Sequence, residues 1–384
     1  LIIINIMYFT LIIILFVIVV CVPLLYILWF KLKHPFWAKQ PVFNYYNLYY
    51  WIMPADVIDS DLPEITKFYN IRNIVFKNVT TLTEKESLDV VELLQNHYYK
   101  NETIHYYPKA RNIFPYLSNN NNNSYISLYY KDKKVVGMLA GRPLHVTIQN
   151  TNFLTYYADY LCVDKNHRNN NISPNLIYTH YYNQRHRESH IVTSLFKREH
   201  LLNDYVPLVK YDTYTFDISN WITYSLHRSV KIVKITEKNI TYLHEFLKKQ
   251  KHKFKCFITS HISNILHLIT TNNIIIYCGM INDIVYSAYF LRDLSTKYLK
   301  KKSFECFASI KDCSMELFLF CFSNIMYYFK NNFSILIIEN VSDNDVIINN
   351  VLLKYKYMSK VNSAFYFYNY AIRSIKNNDF CCIY

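Results

Sequence analysis

Three glycines, Gly137, Gly141 and Gly279, serve a chain of 384 residues. A Walker loop and a dinucleotide fingerprint both need clustered glycine, because the backbone must approach the phosphates closely. Neither can be built from this chain. Its length is enough to bury one large core or two ordinary ones.

Asn, Ile, Lys, Tyr and Phe are abundant, as in an AT-rich genome, so the formal charge of +14 partly reflects codon bias. A basic surface could serve nucleic acid, anionic lipid or a polyphosphate ligand. No base-reading motif accompanies the charge and the lysines are scattered, so no nucleic-acid partner is expected. The nine cysteines are odd in number and form no C-x-x-C pair; paired His at zinc spacing is also missing. They read as reduced, mostly buried thiols of a cytosolic compartment, with no metal.

Leu1–Phe30 carries no charged residue, and about 20 apolar residues suffice to cross a bilayer. Lys31, Lys33 and His34 follow at once, which by the positive-inside rule places the rest of the chain in the cytosol. The basic start and small-residue cleavage site of a signal peptide are not evident. Residues 1–30 are therefore expected to be a transmembrane anchor. The N-x-Ser/Thr sequons at Asn78, Asn101, Asn122, Asn171, Asn239 and Asn332 are then expected to stay unglycosylated.

The most informative stretch is Asn152–His190. Phe153–Val163 is rich in β-formers and predicts a strand. A polar run, Asp164–Asn171, carries Lys165, His167 and Arg168. Ser173-Pro174 then offers a helix start, with Ser as cap and Pro in the first turn. Free N–H groups and the helix dipole favour an anion in such a loop, although ordinary crossovers look similar.

Around it, Val42–Leu62 is aromatic and broken by prolines. Thr83–Gln95 predicts an amphipathic helix with a Thr83/Glu86 capping box. Asn119–Asn123 reads as a solvated hairpin tip. Strands are expected at Tyr125–Tyr130 and Val135–Ala140 about a polar turn, and again at Leu144–Ile148. Thr236-Glu237-Lys238 then repeats Thr83-Glu84-Lys85. Strands near Ile274–Cys278 and Ile284–Leu291, a helix over Met315–Phe329 and a strand at Ile335–Glu339 follow. Helix, hairpin, strand and helix thus occur twice, which suggests duplicated units about a pseudo-twofold.

Tyr160-Leu161-Cys162-Val163, then Arg168 and Ile172-Ser173-Pro174, resembles the acyl-CoA motif of the glycylpeptide N-myristoyltransferases. His34-Pro35-Phe36-Trp37 and Gln40-Pro41-Val42 look like that family's N-terminal box, and Lys134-Val135-Val136-Gly137 resembles its strand before the central sheet. The resemblance is good from Phe36 to about Ser173 and loose beyond. It implies a mixed α/β fold of two GNAT-like halves, 31–218 for acyl-CoA and 219–384 for peptide, after the anchor 1–30. No cofactor is implied, since myristoyl-CoA is the acyl-donor substrate. The acceptor would be an N-terminal glycine amine, and the protein a monomer.

By the same resemblance, the backbone N–H groups of Tyr160 and Leu161 would form an oxyanion hole. Cys162, Val163, Arg168, Asn169, Asn170, Asn171, Ile172 and Ser173 would hold the CoA pyrophosphate, although Asn170 and Asn171 replace basic residues. Phe36, Trp37 and Gln40 would pack about CoA and the acyl pocket, with Tyr98 near the acyl chain. Tyr99, Lys100, Asn101 and Glu102 replace an acidic peptide-attracting loop, with lysine in place of one acid. Thr193 would match a family threonine, Arg198–Asn203 echoes a His-Arg…Leu-Asn signature, and Asp159 stands where the family carries Asn. After Tyr368-Asn369-Tyr370, the spacing to the chain end implies that the α-carboxylate of Tyr384 takes the proton from the glycine ammonium.

Taken alone, these residues also fit ordinary core and a frayed terminus, and Cys381-Cys382-Ile383-Tyr384 formally matches a prenylation box. Two other functions remain open. One is a membrane-anchored acyl-CoA-binding scaffold without catalysis; the other is a GNAT-like enzyme acylating lysine or a small amine.

Overall fold

The computed structural model describes residues 2–98, 103–149, 151–202, 204–222 and 230–384. Among them, 15 strands form one mixed sheet. The first seven are β1 (Ile74–Asn78), β2 (Ile104–Tyr106), β3 (Tyr125–Lys131), β4 (Lys134–Ile148), β5 (Thr151–Val163), β6 (Thr193–Glu199) and β7 (Val209–Asp217). The rest are β8 (Lys231–Lys234), β9 (Cys256–Thr259), β10 (Ile274–Ile281), β11 (Ile284–Tyr298), β12 (Lys301–Lys311), β13 (Ile335–Glu339), β14 (Ser359–Tyr368) and β15 (Phe380–Ile383). Neighbours run β15-β9-β4-β5-β6-β14-β7-β13-β12-β11-β10-β8, with β1 on β3, β3 on β4, and β2 on β11.

Five helices matter for the site: α1 (Ile2–Lys33), α2 (Glu84–His97), α3 (Ile172–Arg187), α4 (Ile240–Gln250) and α5 (Met315–Phe329). The order α2, antiparallel β3-β4-β5, α3 and parallel β6 recurs as α4, antiparallel β10-β11-β12, α5 and parallel β13. The internal similarity read from Thr83 and Thr236 therefore corresponds to a repeated element order. Thr83 caps α2 in a complete capping box with Glu86, while Thr236 forms its box with Asn239 in the turn before α4.

With so little glycine, the chain turns its hairpins on other residues. Asp132 and Lys133 carry φ of 50° and 62°, and Asn282 and Asp283 carry 48° and 60°. Two successive positive φ values match the right-handed twist of the flanking strands. Asn and Asp tolerate that region because their short side chains bond locally.

Three expectations need correcting. The segments at Val135–Ala140 and Leu144–Ile148 are one continuous strand, β4, running through Gly141 and Pro143. The cap of α3 is Asn171 with φ 56°, not Ser173. Pro174 still lies in the first turn, where its missing N–H would have had no partner. Asn119–Asn123 is not a free hairpin tip. It lies against the end of α3, where the Asn123 amide donates to Glu188 at 3.3 Å and its carbonyl accepts from Tyr156 Oη at 2.9 Å.

α1 is long and apolar enough to cross a membrane, and its side chains from Met7 to Trp29 are largely exposed. Its C-terminal turns touch the domain: Phe30 is buried beside Tyr46 and Tyr205, and the Tyr26 hydroxyl donates to Asp204. The nine cysteines are free thiols, and all except Cys21 and Cys313 are buried.

α3 packs close on β4 because Gly141 has no side chain. A Cβ there would meet His180 Nε2 at 2.7 Å and Gln184 Oε1 at 3.2 Å. His180 is itself pinned, with Nδ1 at 2.9 Å from Ser127 Oγ. Gly141→Ala is expected to destabilise the protein by about 1–3 kcal/mol through overpacking, measured by denaturant unfolding.

Candidate active site

β5 and β6 pair in parallel over only three positions, Thr155 with Thr193, Tyr156 with Ser194 and Tyr157 with Leu195. Beyond that point β6 stays in the sheet through β14, and β5 diverges from it. The gap opens into a cavity of about 1390 Å³, lined by Ala158–Val163 from one side and Phe196–His200 from the other.

The wall of the cavity on β5 is irregular. Register slips between Met138 and Ala140, so Tyr160 and Leu161 together oppose Leu139. Such a bulge leaves a residue outside the ladder and re-aims its neighbours. Tyr160 adopts φ 55°, a region costly for a bulky side chain. Its ring is buried between Tyr98 and Tyr106 territory, 6.1 Å from the Tyr98 ring. Burial pushes its phenol well above the ordinary value, so it stays neutral.

The Tyr160 N–H, read above as an oxyanion donor, donates to Asp159 Oδ1 at 2.8 Å. A carboxylate already holds one of the two implied donors.

One end of the cavity is the loop before α3. Asp164 holds it by accepting from the Asn166 N–H at 2.8 Å and by lying 3.6 Å from His97 and 3.8 Å from His167. Arg168 donates through Nε to the Val163 carbonyl at 3.3 Å and through Nη2 to the His97 carbonyl at 3.1 Å. Its guanidinium thus ties the loop to the end of α2 while facing the cavity. Asn169, Asn171, Ile172 and Ser173 line this end together with Arg168. Asn170 does not; its amide donates back to the His167 carbonyl at 3.3 Å.

Other expected site residues divide similarly. Trp37, Tyr98, Cys162 and Val163 reach the cavity. Phe36 and Gln40 lie outside it and support its wall. Phe36 is stacked edge-on with Trp37 and Phe68, and Gln40 donates to the Phe36 carbonyl and accepts from Tyr368 Oη at 2.6 Å. Thr193 is buried on the opposite face of β6, where its hydroxyl donates to Thr155 at 3.0 Å; strand alternation gives the cavity Ser194 instead. Arg198 and Leu202 line the cavity, whereas Tyr99–Glu102 and Asn203 lie outside the described residues.

Tyr384 closes the far side. Strand β15 is entirely buried and runs parallel to β9, carrying the Tyr384 ring onto Tyr157 at 5.0 Å. Its phenol oxygen accepts from Arg292 Nη2 at 3.2 Å. Here the structure assembles charges that motif reading missed. Arg292 Nε donates to Glu305 at 2.5 Å, and Lys197 bridges Glu339 and lies 3.8 Å from Glu305. Burial alone would raise Glu305, but Arg292 and Lys197 outweigh it and hold the carboxyl at about 2. Burial pushes Glu339 upward, with Glu305 adding to the effect against Lys197. A sequence signal existed, since Phe304-Glu305-Cys306-Phe307 and Ile337-Ile338-Glu339 place acids inside apolar strands.

Glu305 lies below its ordinary value of 4.5, so its contribution to stability is complete above that pH. It is lost as the pH falls towards about 2. Arg292→Met should cost about 3–5 kcal/mol at neutral pH by leaving a buried carboxylate unbalanced. Acid should narrow the gap to wild type, and Glu305→Gln in the same chain should recover part of the loss, both measured by urea unfolding.

A bulged strand, a basic loop at a helix start and a cavity between parting parallel strands define the site of this mixed α/β fold. Residues 61–206 match the family model described as Myristoyl-CoA:protein N-myristoyltransferase, N-terminal domain. Over this stretch the chain is similar in sequence to that family. Its fold is similar to that of Saccharomyces cerevisiae N-myristoyltransferase with bound myristoyl-CoA, at TM-score 0.72 and 14% identity over 90% of this chain and 94% of that one. A second structure of the same yeast enzyme with myristoyl-CoA gives TM-score 0.74 at 14% identity, over 90% and 89%. A tandem GNAT protein from the clavulanic acid biosynthesis pathway is more distant, at TM-score 0.53 and 10% identity, over 79% of this chain and 100% of that one. No curated protein matches by sequence.

Proposed function

We propose that this chain moves a long acyl group, myristoyl in the first instance, from CoA to the N-terminal glycine amine of a protein. The observation that carries the reading is one continuous cavity, running from the α3 loop past the Tyr160–Leu161 bulge to Tyr384. It has a place for each need of the reaction. The CoA phosphates would lie over Arg168, Asn169, Asn171 and the first N–H groups of α3, where the helix dipole favours an anion. The acyl chain would run past Trp37 and Tyr98.

The amine nitrogen attacks the thioester carbonyl carbon. A C–N bond forms, the C–S bond breaks, and the CoA thiol leaves. Before attack the ammonium gives up a proton, and we assign the α-carboxylate of Tyr384 as its acceptor. We assign the Leu161 N–H as the leading oxyanion donor, because Asp159 engages that of Tyr160. The anchor at 1–30 would tether two halves, 31–218 and 219–384, to a membrane on its cytosolic side.

The same contacts favour a second reading, an acyl-CoA-binding scaffold. Arg168 is already spent on carbonyls and one oxyanion donor on a carboxylate. Incubation with myristoyl-CoA and Gly-starting peptides, followed by mass spectrometry, separates the two. A mass gain on the peptide supports transfer, while tight myristoyl-CoA binding with unmodified peptides supports the scaffold.

Two variants sharpen the mechanism. Asp159→Asn keeps an oxygen acceptor for the Tyr160 N–H but removes a negative charge beside the developing oxyanion, and should raise kcat by about tenfold. Abolished turnover would instead make Asp159 the base. Residues fused after Tyr384 convert its carboxylate to an amide and should abolish transfer while leaving myristoyl-CoA affinity intact. Full turnover of the fused protein would remove Tyr384 from the mechanism.

A further inference from the structure

The cavity contains a buried guanidinium with unpartnered donors. Arg142 on β4 pairs with Tyr157 on β5, lines the cavity and is 1% exposed. Its guanidinium carbon lies 5.1, 5.4 and 5.6 Å from the ring centroids of Tyr116, Tyr157 and Tyr384. Its Nε and Nη1 have no hydrogen-bond partner among the described residues. Of the side-chain carboxylates around it, Glu305 pairs with Arg292, Glu339 with Lys197, and Asp159 accepts from the Tyr160 N–H; none of these three makes an ion pair with Arg142.

Three ring faces attract a cation but accept no conventional hydrogen bond from its N–H groups. Buried donors in folded proteins are nearly always satisfied, and a buried unpaired charge is among the costliest groups to leave bare. A guanidinium presents its donors as a planar fork that fits a carboxylate or a phosphate. Position chooses between them. The proposed phosphate end lies beyond the bulge, at the α3 loop. Arg142 lies on the other side of the bulge, among Tyr157, Tyr384 and the Arg292–Glu305 pair, where the attacking amine would enter.

We infer that Arg142 is a carboxylate-binding subsite for the acyl acceptor, so that the preferred amine substrate carries an acidic group near its reacting nitrogen. The inference rests on the acyl-transfer reading above. Arg142 pairs with Tyr157, three residues before Tyr160, a span of roughly 10 Å along the strand. An extended peptide covers that distance in about three residues. An acidic side chain at the second to fourth position of a peptide would therefore reach it. The α-carboxylate of a short acceptor such as a dipeptide or tripeptide offers the same chemistry.

The test uses the full chain with saturating myristoyl-CoA and C-terminally labelled Gly-starting peptides, in pairs differing only by Asp or Asn at positions two, three or four. Fluorescence anisotropy gives their affinities for wild type and Arg142→Met, without requiring turnover. At one position the Asp peptide should bind wild type about tenfold tighter or better, the worth of a charge-assisted hydrogen bond. Arg142→Met should erase that preference and leave myristoyl-CoA affinity unchanged. Triglycine that competes as well as the Asp peptide, against a C-amidated control that does not, would put the carboxylate at the end of a short acceptor.

Equal binding of every Asp and Asn pair by wild type, with no competition by triglycine, overturns the subsite even if peptides are acylated. Loss of myristoyl-CoA binding in Arg142→Met also overturns it, because the anion would then belong to the donor. Failure to acylate any peptide while the Asp preference persists counts against the proposed function and not against the subsite. Should Arg142→Met fail to fold, the wild-type peptide pairs and triglycine competition decide alone.

Discussion

Everything at the site depends on β5 and β6 parting after three paired residues. Parallel strands side by side would satisfy each other's backbone and leave no room for a ligand. Here β6 keeps its hydrogen bonds by continuing against β14, so β5 can diverge without abandoning its neighbour. The bulge at Tyr160–Leu161 lies on the freed edge, and the loop after Val163 turns from it into α3. Bulge, loop and helix start are consecutive in the chain, so a single divergence presents all three to one cavity.

The second structural consequence is the route taken by the chain end. β9 and β15 are the strands added to the free edge of β4, and β15 brings Tyr384 beneath the aromatic cluster formed with Tyr157, Phe307 and Phe365. Residues far apart in sequence thereby meet on the cavity floor: Arg142 from β4, Lys197 from β6, Arg292 from β11 and Glu305 from β12. Two cations and two side-chain carboxylates pair there, and Arg142 has no side-chain carboxylate partner among the described residues. A low-dielectric site magnifies each of these charges, so Arg142 is the feature through which an acceptor could be chosen.

The departures from the family pattern are also local and physical. Asp in place of Asn at 159 puts a carboxylate on the Tyr160 N–H. With Asn at 170 and 171, Arg168 and His167 are the basic side chains of this loop that line the cavity, and Arg168 is also bonded to two carbonyls. The fold of the N-myristoyltransferase structures is shared while the electrostatics of the cavity differ.

Much was legible in the sequence because it rests on local rules. The capping box at Thr83, helix Met315–Phe329, strand Ile335–Glu339 and the strand–loop–helix from Phe153 follow from periodicity and end signals, which short stretches carry whole. The tandem order followed from repeated short-range patterns. Thr193 was misplaced because alternation along a strand depends on its register, and one residue reverses the face. Asn171 displaced Ser173 as the cap because the preceding loop, tied down by Asp164 and Arg168, decides where the first helical residue falls. The charge network and Arg142 belong to the tertiary structure alone. Lys197 meets Glu305 and Glu339 across more than a hundred residues of chain, and whether a buried charge is paired depends on what the sheet places opposite it.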